Sequence, residues 1–236
     1  GDEIPGFSGS YPWRTAYCGD FDILGNRRPV SYWRESIWSK ENVTCIAVQP
    51  PAYYGQNVNM TQWGFSDAVK SWNFSGYEGA PVKAEVYSNA EEVELLINGV
   101  SVGRKKVGET RKNTAYFDII YEKGTIEAVS FTYGKEIGRD QMETASENVT
   151  LKAQTDEKNL PADGSDLIFI DIELLDKNGI LNPERKVSIS VSLEGPGELV
   201  GFGTANPQTE EWFGEKTAVT YEGRARAAVR ATGEGT

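Results

Sequence analysis

The sequence predicts an all-β chain: two antiparallel β-sandwiches in tandem, preceded by a short loop-and-helix segment. Three observations predict it. Apolar and polar residues alternate from about residue 43 onward, turn-forming residues punctuate the alternation, and the same pattern restarts near residue 147. The 236 residues and 26.0 kDa leave room for one or two domains. Hydrophobic residues at 39 % and charged residues at 25 % are an ordinary globular composition, too apolar for disorder.

Residues 1–42 do not alternate. They are loop-like and aromatic until Pro29, which suits a first helical position because its missing N–H would be unpaired there anyway. A helix is expected through about Trp38, with Val30, Trp33 and Ile37 forming a buried stripe. One helix ahead of two sandwiches has no layer of its own, so it reads as the remnant of another domain.

Residues 43–145 form the first expected sandwich. Val82, Ala84 and Val86 alternate with Lys83, Glu85 and Tyr87, and Val93, Leu95 and Ile97 with Glu92, Glu94 and Leu96. A period of two sends one set to a core and the other outward. Asn98-Gly99 then predicts a tight hairpin, because both turn positions favour positive φ. Strands at 114–121 and 125–132 are joined by a turn at Lys123-Gly124.

Residues 146–236 form the second. Val149 and Leu151 open it, and Ile168, Ile170, Ile172 and Leu174 share one face, followed by turn chemistry at Asp176-Lys177-Asn178-Gly179. Val187, Ile189, Val191 and Leu193 predict a further strand, broken by Gly195-Pro196-Gly197, and Ala225, Ala227 and Val229 another. Blocks of this size and rhythm are immunoglobulin-like in pattern. A seven-stranded sandwich would want one more strand after the last one, so a truncated second block is expected.

Composition excludes several chemistries. The chain has no histidine, which removes Ser-His-Asp and Cys-His relays and histidine-ligated metals from it. The net charge of −11 disfavours nucleic acid and anionic membranes as partners. No apolar run is long enough to span a bilayer as a helix, and the first residues lack the basic start and apolar stretch of a signal peptide. Cys18 and Cys45 are either a single pair or two buried thiols. The sequons at Asn42, Asn59, Asn73 and Asn148 are close to chance expectation. Asp163, Asp166, Asp171 and Asp176 lack the spacing of a calcium loop, and Arg104-Lys105-Lys106 is too short a basic run for nucleic acid. No cofactor and no metal are expected.

Specific motifs sit at the start of the chain. Tyr11-Pro12-Trp13, Tyr17-Cys18-Gly19-Asp20-Phe21-Asp22 and Gly25-Asn26-Arg27-Arg28-Pro29-Val30-Ser31-Tyr32-Trp33-Arg34-Glu35 resemble the end of the catalytic barrel of glycoside hydrolase family 2, the bacterial β-galactosidases in particular. Gly76-Tyr77-Glu78-Gly79, Val86-Tyr87-Ser88-Asn89-Ala90 and Val93-Glu94-Leu95-Leu96-Ile97-Asn98-Gly99 are similar to the sandwich after that barrel. Ala162-Asp163-Gly164-Ser165-Asp166-Leu167 and Glu194-Gly195-Pro196-Gly197 resemble a further immunoglobulin-like domain near the C-terminus.

The resemblance implies that residues 1–42 are the loop and last helix of a (β/α)8 barrel. It also implies a retaining mechanism with two glutamates, the acid/base lying in an Asn-Glu pair. None of the 13 asparagines here is followed by glutamate, so both catalytic carboxylates are expected upstream of residue 1 and the chain alone is expected to be inactive. The implied role is a non-catalytic accessory region of a β-galactosidase-like exo-glycosidase, bracing the barrel and shaping the substrate entrance. The alternatives are a carbohydrate-binding module and an array of immunoglobulin-like adhesion or spacer units. The implied partners are the upstream barrel and a carbohydrate substrate. A homo-oligomer and a periplasmic or secreted location are left open.

Asp20, Phe21 and Asp22 are the candidates beside the substrate of the intact enzyme, with turn and cap chemistry as the plainer role of the two carboxylates. Trp63, Trp72 and Trp212, with Tyr53-Tyr54, are the candidates to stack on sugar, against packing in a core. Trp212 leads them, because Asn206 through Gly214 reads as a long loop.

Overall fold

The computed structural model describes residues 11–14, 19–56, 66–155, 159, 161 and 164–233. They form two compact units that meet in sequence between Thr144 and Ala145, and residues 11–14 group with the second unit.

The first unit contains helix α1 (Pro29–Trp38) and seven strands: β1 (Thr44–Gln49), β2 (Pro81–Ser88), β3 (Glu92–Ile97), β4 (Val100–Lys106), β5 (Thr114–Ile120), β6 (Thr125–Thr132) and β7 (Lys135–Glu143). They make two antiparallel sheets, ordered β1-β2-β5 and β4-β3-β6-β7. The alternation works as expected: Val82, Ala84 and Val86 meet Val93, Leu95 and Ile97 in one core, closed by Trp72, Phe74 and Tyr121. Those three rings pack edge to face, with Trp72 and Tyr121 centroids 4.9 Å apart.

Asn98 adopts φ 50° and Gly99 φ 79° between β3 and β4, the geometry the hairpin signal predicts. Asn98 also organises the neighbouring turn. Its Oδ1 accepts from the Thr125 N–H at 2.8 Å, and its Nδ2 donates to the Lys123 carbonyl at 3.1 Å. A Cβ at Gly124 would collide with this amide, so glycine is required there by space as well as by its φ of 124°.

Helix α1 lies on the outer face of the three-stranded sheet, packed on β1 and β2. Tyr32 and Trp33 cover Cys45, Ala47 and Tyr87, with Ala68 beside them. The expected stripe is rotated. Ser31 and Ser36 are buried, whereas Val30 is half-buried and Ile37 is 46 % exposed. Two anchors turn the helix this way: Trp33 Nε1 donates to the Lys112 carbonyl, and Asn113 Nδ2 to the Ser36 carbonyl, both at 2.8 Å. Small serines let the helix approach the strands closely, which the apolar period alone does not reveal.

The second unit holds β8 (Val149–Gln154), β9 (Leu167–Asp176), β10 (Ser188–Ser190), β11 (Gly197–Gly203), β12 (Thr217–Val219) and β13 (Arg224–Ala231). A four-stranded sheet runs β11-β13-β9-β8, and β10 pairs with β12. Its core is smaller, built on Ile172, Ile189, Phe202, Ala218, Ala225 and Ala227. The strand expected over Val187–Leu193 is regular only at Ser188–Ser190. Beyond its ends pairing continues as single bonds, Thr220 N–H to the Val187 carbonyl and Val191 N–H to the Lys216 carbonyl. Asp176 closes its turn by accepting from the N–H groups of Asn178, Ile180 and Ser146 at 2.8–3.0 Å, and the Ser146 bond leads in holding its carboxyl below the ordinary value.

Candidate functional site

Asp20 and Asp22 build the hairpin ahead of α1. Asp22 Oδ1 accepts from the Leu24 and Asn26 N–H groups, and Oδ2 from Asn26 Nδ2, all at 2.9 Å. Asp20 is ion-paired with Arg34, and its carbonyl accepts from the Arg28 N–H at 2.8 Å. Phe21 forms an isolated bridge with Arg27 and leaves its ring 56 % exposed. Arg27 in turn lies 3.8 Å from the centre of the Tyr32 ring and pairs with Glu35 at 2.5 Å. Both carboxylates are thus engaged in turn and ion-pair geometry, and the knob presents Phe21 and Ile23 outward.

The aromatic candidates separate. Trp72 is 1 % exposed at the centre of the first core, so it is withdrawn as a sugar-stacking ring. Its Nε1 is buried without a hydrogen-bond partner among the described residues. Trp63 lies outside the described residues. Tyr53 and Tyr54, in and after a single 3-10 turn, are 47 % and 37 % exposed. Trp212 is 66 % exposed.

The segment around Trp212 is tied at many points. The Phe202 N–H donates to the Phe213 carbonyl at 2.8 Å, and the Glu215 N–H to the Trp212 carbonyl at 3.0 Å. Glu211 Oε1 accepts from the Val219 N–H at 2.8 Å. From the N-terminal segment, Trp13 bridges Gln208, and Arg14 donates to the carbonyls of Thr209 and Glu210 at 2.8 and 3.0 Å. The Arg14 guanidinium also stands 6.0 Å from the Phe213 ring centre.

Sequence reasoning missed a buried polar group on the outer face of the β1-β2-β5 sheet. Glu85 is 8 % exposed there, accepting from the Tyr87 hydroxyl at 2.6 Å and the Ser66 hydroxyl at 2.9 Å. Burial raises its carboxyl above the ordinary value, against the pull of these two bonds. Cys45, a buried free thiol, is pushed up to about 12 by burial. Asp140 accepts from the Ile46 N–H at 2.7 Å and from Lys70 at 2.5 Å, and so joins β7 of one sheet to β1 of the other. The signal was a glutamate and a tyrosine on what alternation calls the outward face of β2, a face that α1 partly covers. Cys18 lies outside the described residues.

Comparison with known proteins shows what the chain is similar to. Residues 151–236 match the glycoside hydrolase family 2 C-terminal domain 5, and residues 79–138 match a domain of unknown function, DUF4982. The chain resembles the C-terminal region of glycoside hydrolase family 2 enzymes. The β-galactosidase BoGH2A of Bacteroides ovatus is 25 % identical over 224 residues, which is 95 % of this chain and 24 % of that protein. A putative β-glucuronidase of Formosa agariphila is 27 % identical over 202 residues, 84 % of this chain and 17 % of that one. A crystal structure of a family 2 member from Bacteroides cellulosilyticus superposes with a TM-score of 0.89 at 36 % identity, covering 98 % of this chain and 31 % of that one. The chain therefore spans a quarter or less of these two curated relatives.

Proposed function

We propose that this chain is a non-catalytic accessory region of a β-galactosidase-like exo-glycosidase, with residues 1–42 as the loop and last helix of its barrel, 43–145 as the first sandwich and 146–236 as the second. The observation that carries the reading is the two-sided helix α1. Its Tyr32–Trp33–Ser36 side is committed to the first sandwich, while Ile37 and Trp38 stay 46 % and 76 % exposed. A helix that serves one sandwich alone would place polar residues there. An upstream barrel is the body that such a second apolar side suits. The engaged carboxylates Asp20 and Asp22, and the lack of any Asn-Glu pair, support a role without its own acid/base chemistry.

The work of the region is to brace the barrel and shape the substrate entrance of a carbohydrate-degrading enzyme. The reading frame ahead of Gly1 tests this. A barrel-encoding stretch with an Asn-Glu pair and a second barrel glutamate is expected. An upstream frame that encodes no barrel overturns it. The binding-module alternative is favoured by one observation, the exposed Trp212 ring.

A further inference from the structure

We infer that Trp212 is a sugar-stacking residue contributed by the second unit, and that the pyranose it takes is neutral, a galactoside rather than a glucuronide. This deepens the accessory reading and rests on it for the class of sugar.

Three features of the loop point to a ligand surface. First, its aromatic rings are seated from behind. A Cβ on Gly214 would stand 2.7–2.9 Å from Cη2, Cζ3 and Cε3 of Trp212, and one on Gly203 would collide with the Phe213 ring. Each glycine is the space into which a ring settles. Second, the backbone is fixed by the Phe202, Glu215, Val219 and Arg14 hydrogen bonds described above. A ring already held in place loses little freedom when a ligand stacks on it. It is nevertheless 66 % exposed, so the holding serves presentation and not burial. Third, Glu210, Glu211 and Glu215 flank it in sequence. Carboxylates are depleted from the cores of protein interfaces, because covering them strips their water. They are suitable beside sugar hydroxyls, which donate to them. The same three charges outnumber the two cations Arg14 and Lys216, and the net negative charge of the loop disfavours a uronate.

The test is a titration of the full chain with methyl β-D-galactopyranoside and with methyl β-D-glucuronide, followed by the indole N–H resonances. Trp212→Phe assigns the Trp212 signal. Trp38→Phe assigns that of Trp38, a still more exposed indole at 76 % and the internal control. The Trp212 signal is expected to move saturably with the galactoside, with a Kd of about 1–10 mM for a single stacking contact, while Trp38 stays still. The glucuronide should bind at least about fivefold more weakly. Gly214→Ala, which displaces the ring without removing it, should weaken the galactoside about tenfold.

A Trp212 signal unmoved at about 100 mM galactoside overturns the inference, since that concentration saturates such a site. So does equal movement of Trp212 and Trp38, tighter binding of the glucuronide, or unchanged binding by Gly214→Ala. These results leave the accessory reading standing. Release of free galactose in the same tube contradicts the accessory reading instead, and is read from the anomeric sugar signals.

Discussion

Glu85 shows what a buried carboxylate costs this fold. Its folded-state value is raised, first by burial, so the native state holds the proton more tightly than the unfolded chain. The native state then binds more protons than the unfolded state from about pH 4.5 upward, and stability falls as pH rises through that window. Glu85→Gln keeps both hydrogen-bond partners and removes the charge. It should raise the melting temperature at pH 7 and flatten its decline above pH 4.5, as thermal denaturation at several pH values would record. Cys45 is the second case. A thiol pushed up to about 12 and 1 % exposed has almost no thiolate at pH 8, so maleimide should label it only in denaturant. Rapid labelling of Cys45 in the native protein, located by peptide mapping, would show that the packing of α1 opens readily. Asn98-Gly99 was legible in the sequence because a positive φ at both positions is a local demand. The burial of Glu85 was not, because its partner Ser66 lies on a separate segment nineteen residues earlier in the chain.

At the scale of elements, α1 is the informative case. Its start at Pro29 and its end at Trp38 were readable from local chemistry. The face it buries was not. Period counting selects Val30, Trp33 and Ile37, but the helix docks through Trp33 Nε1, Tyr32 and two serines, guided by the backbone carbonyl of Lys112 and the amide of Asn113. Trp33→Ala removes a half-buried ring and one hydrogen bond to a main-chain carbonyl, and should cost about 2–4 kcal/mol of first-unit stability. Trp38→Ala, on the exposed side, should cost less than about 0.5 kcal/mol. Chemical denaturation of the two variants separates them, and equal losses would mean that the helix is not anchored as described. β11 was likewise missed. Its sequence, Gly-Glu-Leu-Val-Gly-Phe-Gly, has low strand propensity, and a bulge between Leu199 and Gly201 breaks its alternation. The candidate residues fared the same way. Asp20 and Asp22 were recognisable as turn formers, but their partners Arg34 and Asn26 come from the folded hairpin and helix.

For the molecule as a whole, two tandem all-β blocks were legible because alternation and turn signals are repeated along the chain. The attachment of residues 11–14 to the second unit was not, because Trp13 and Gln208 are 195 residues apart in the sequence and carry no shared pattern. Among the described residues the first core gathers nineteen buried hydrophobics and the second six, so the second unit should unfold at the lower denaturant concentration. Hydrogen exchange resolved by peptide would show β9 and β13 losing protection before β2 and β3. The central claim is that this region serves a glycosidase without being one. Its most direct test is hydrolysis of an aryl β-galactoside, measured side by side for this chain and for the same chain joined to its upstream polypeptide. The account predicts turnover by the longer protein and none by this chain above a mock preparation. Turnover by this chain alone that survives repurification would contradict it.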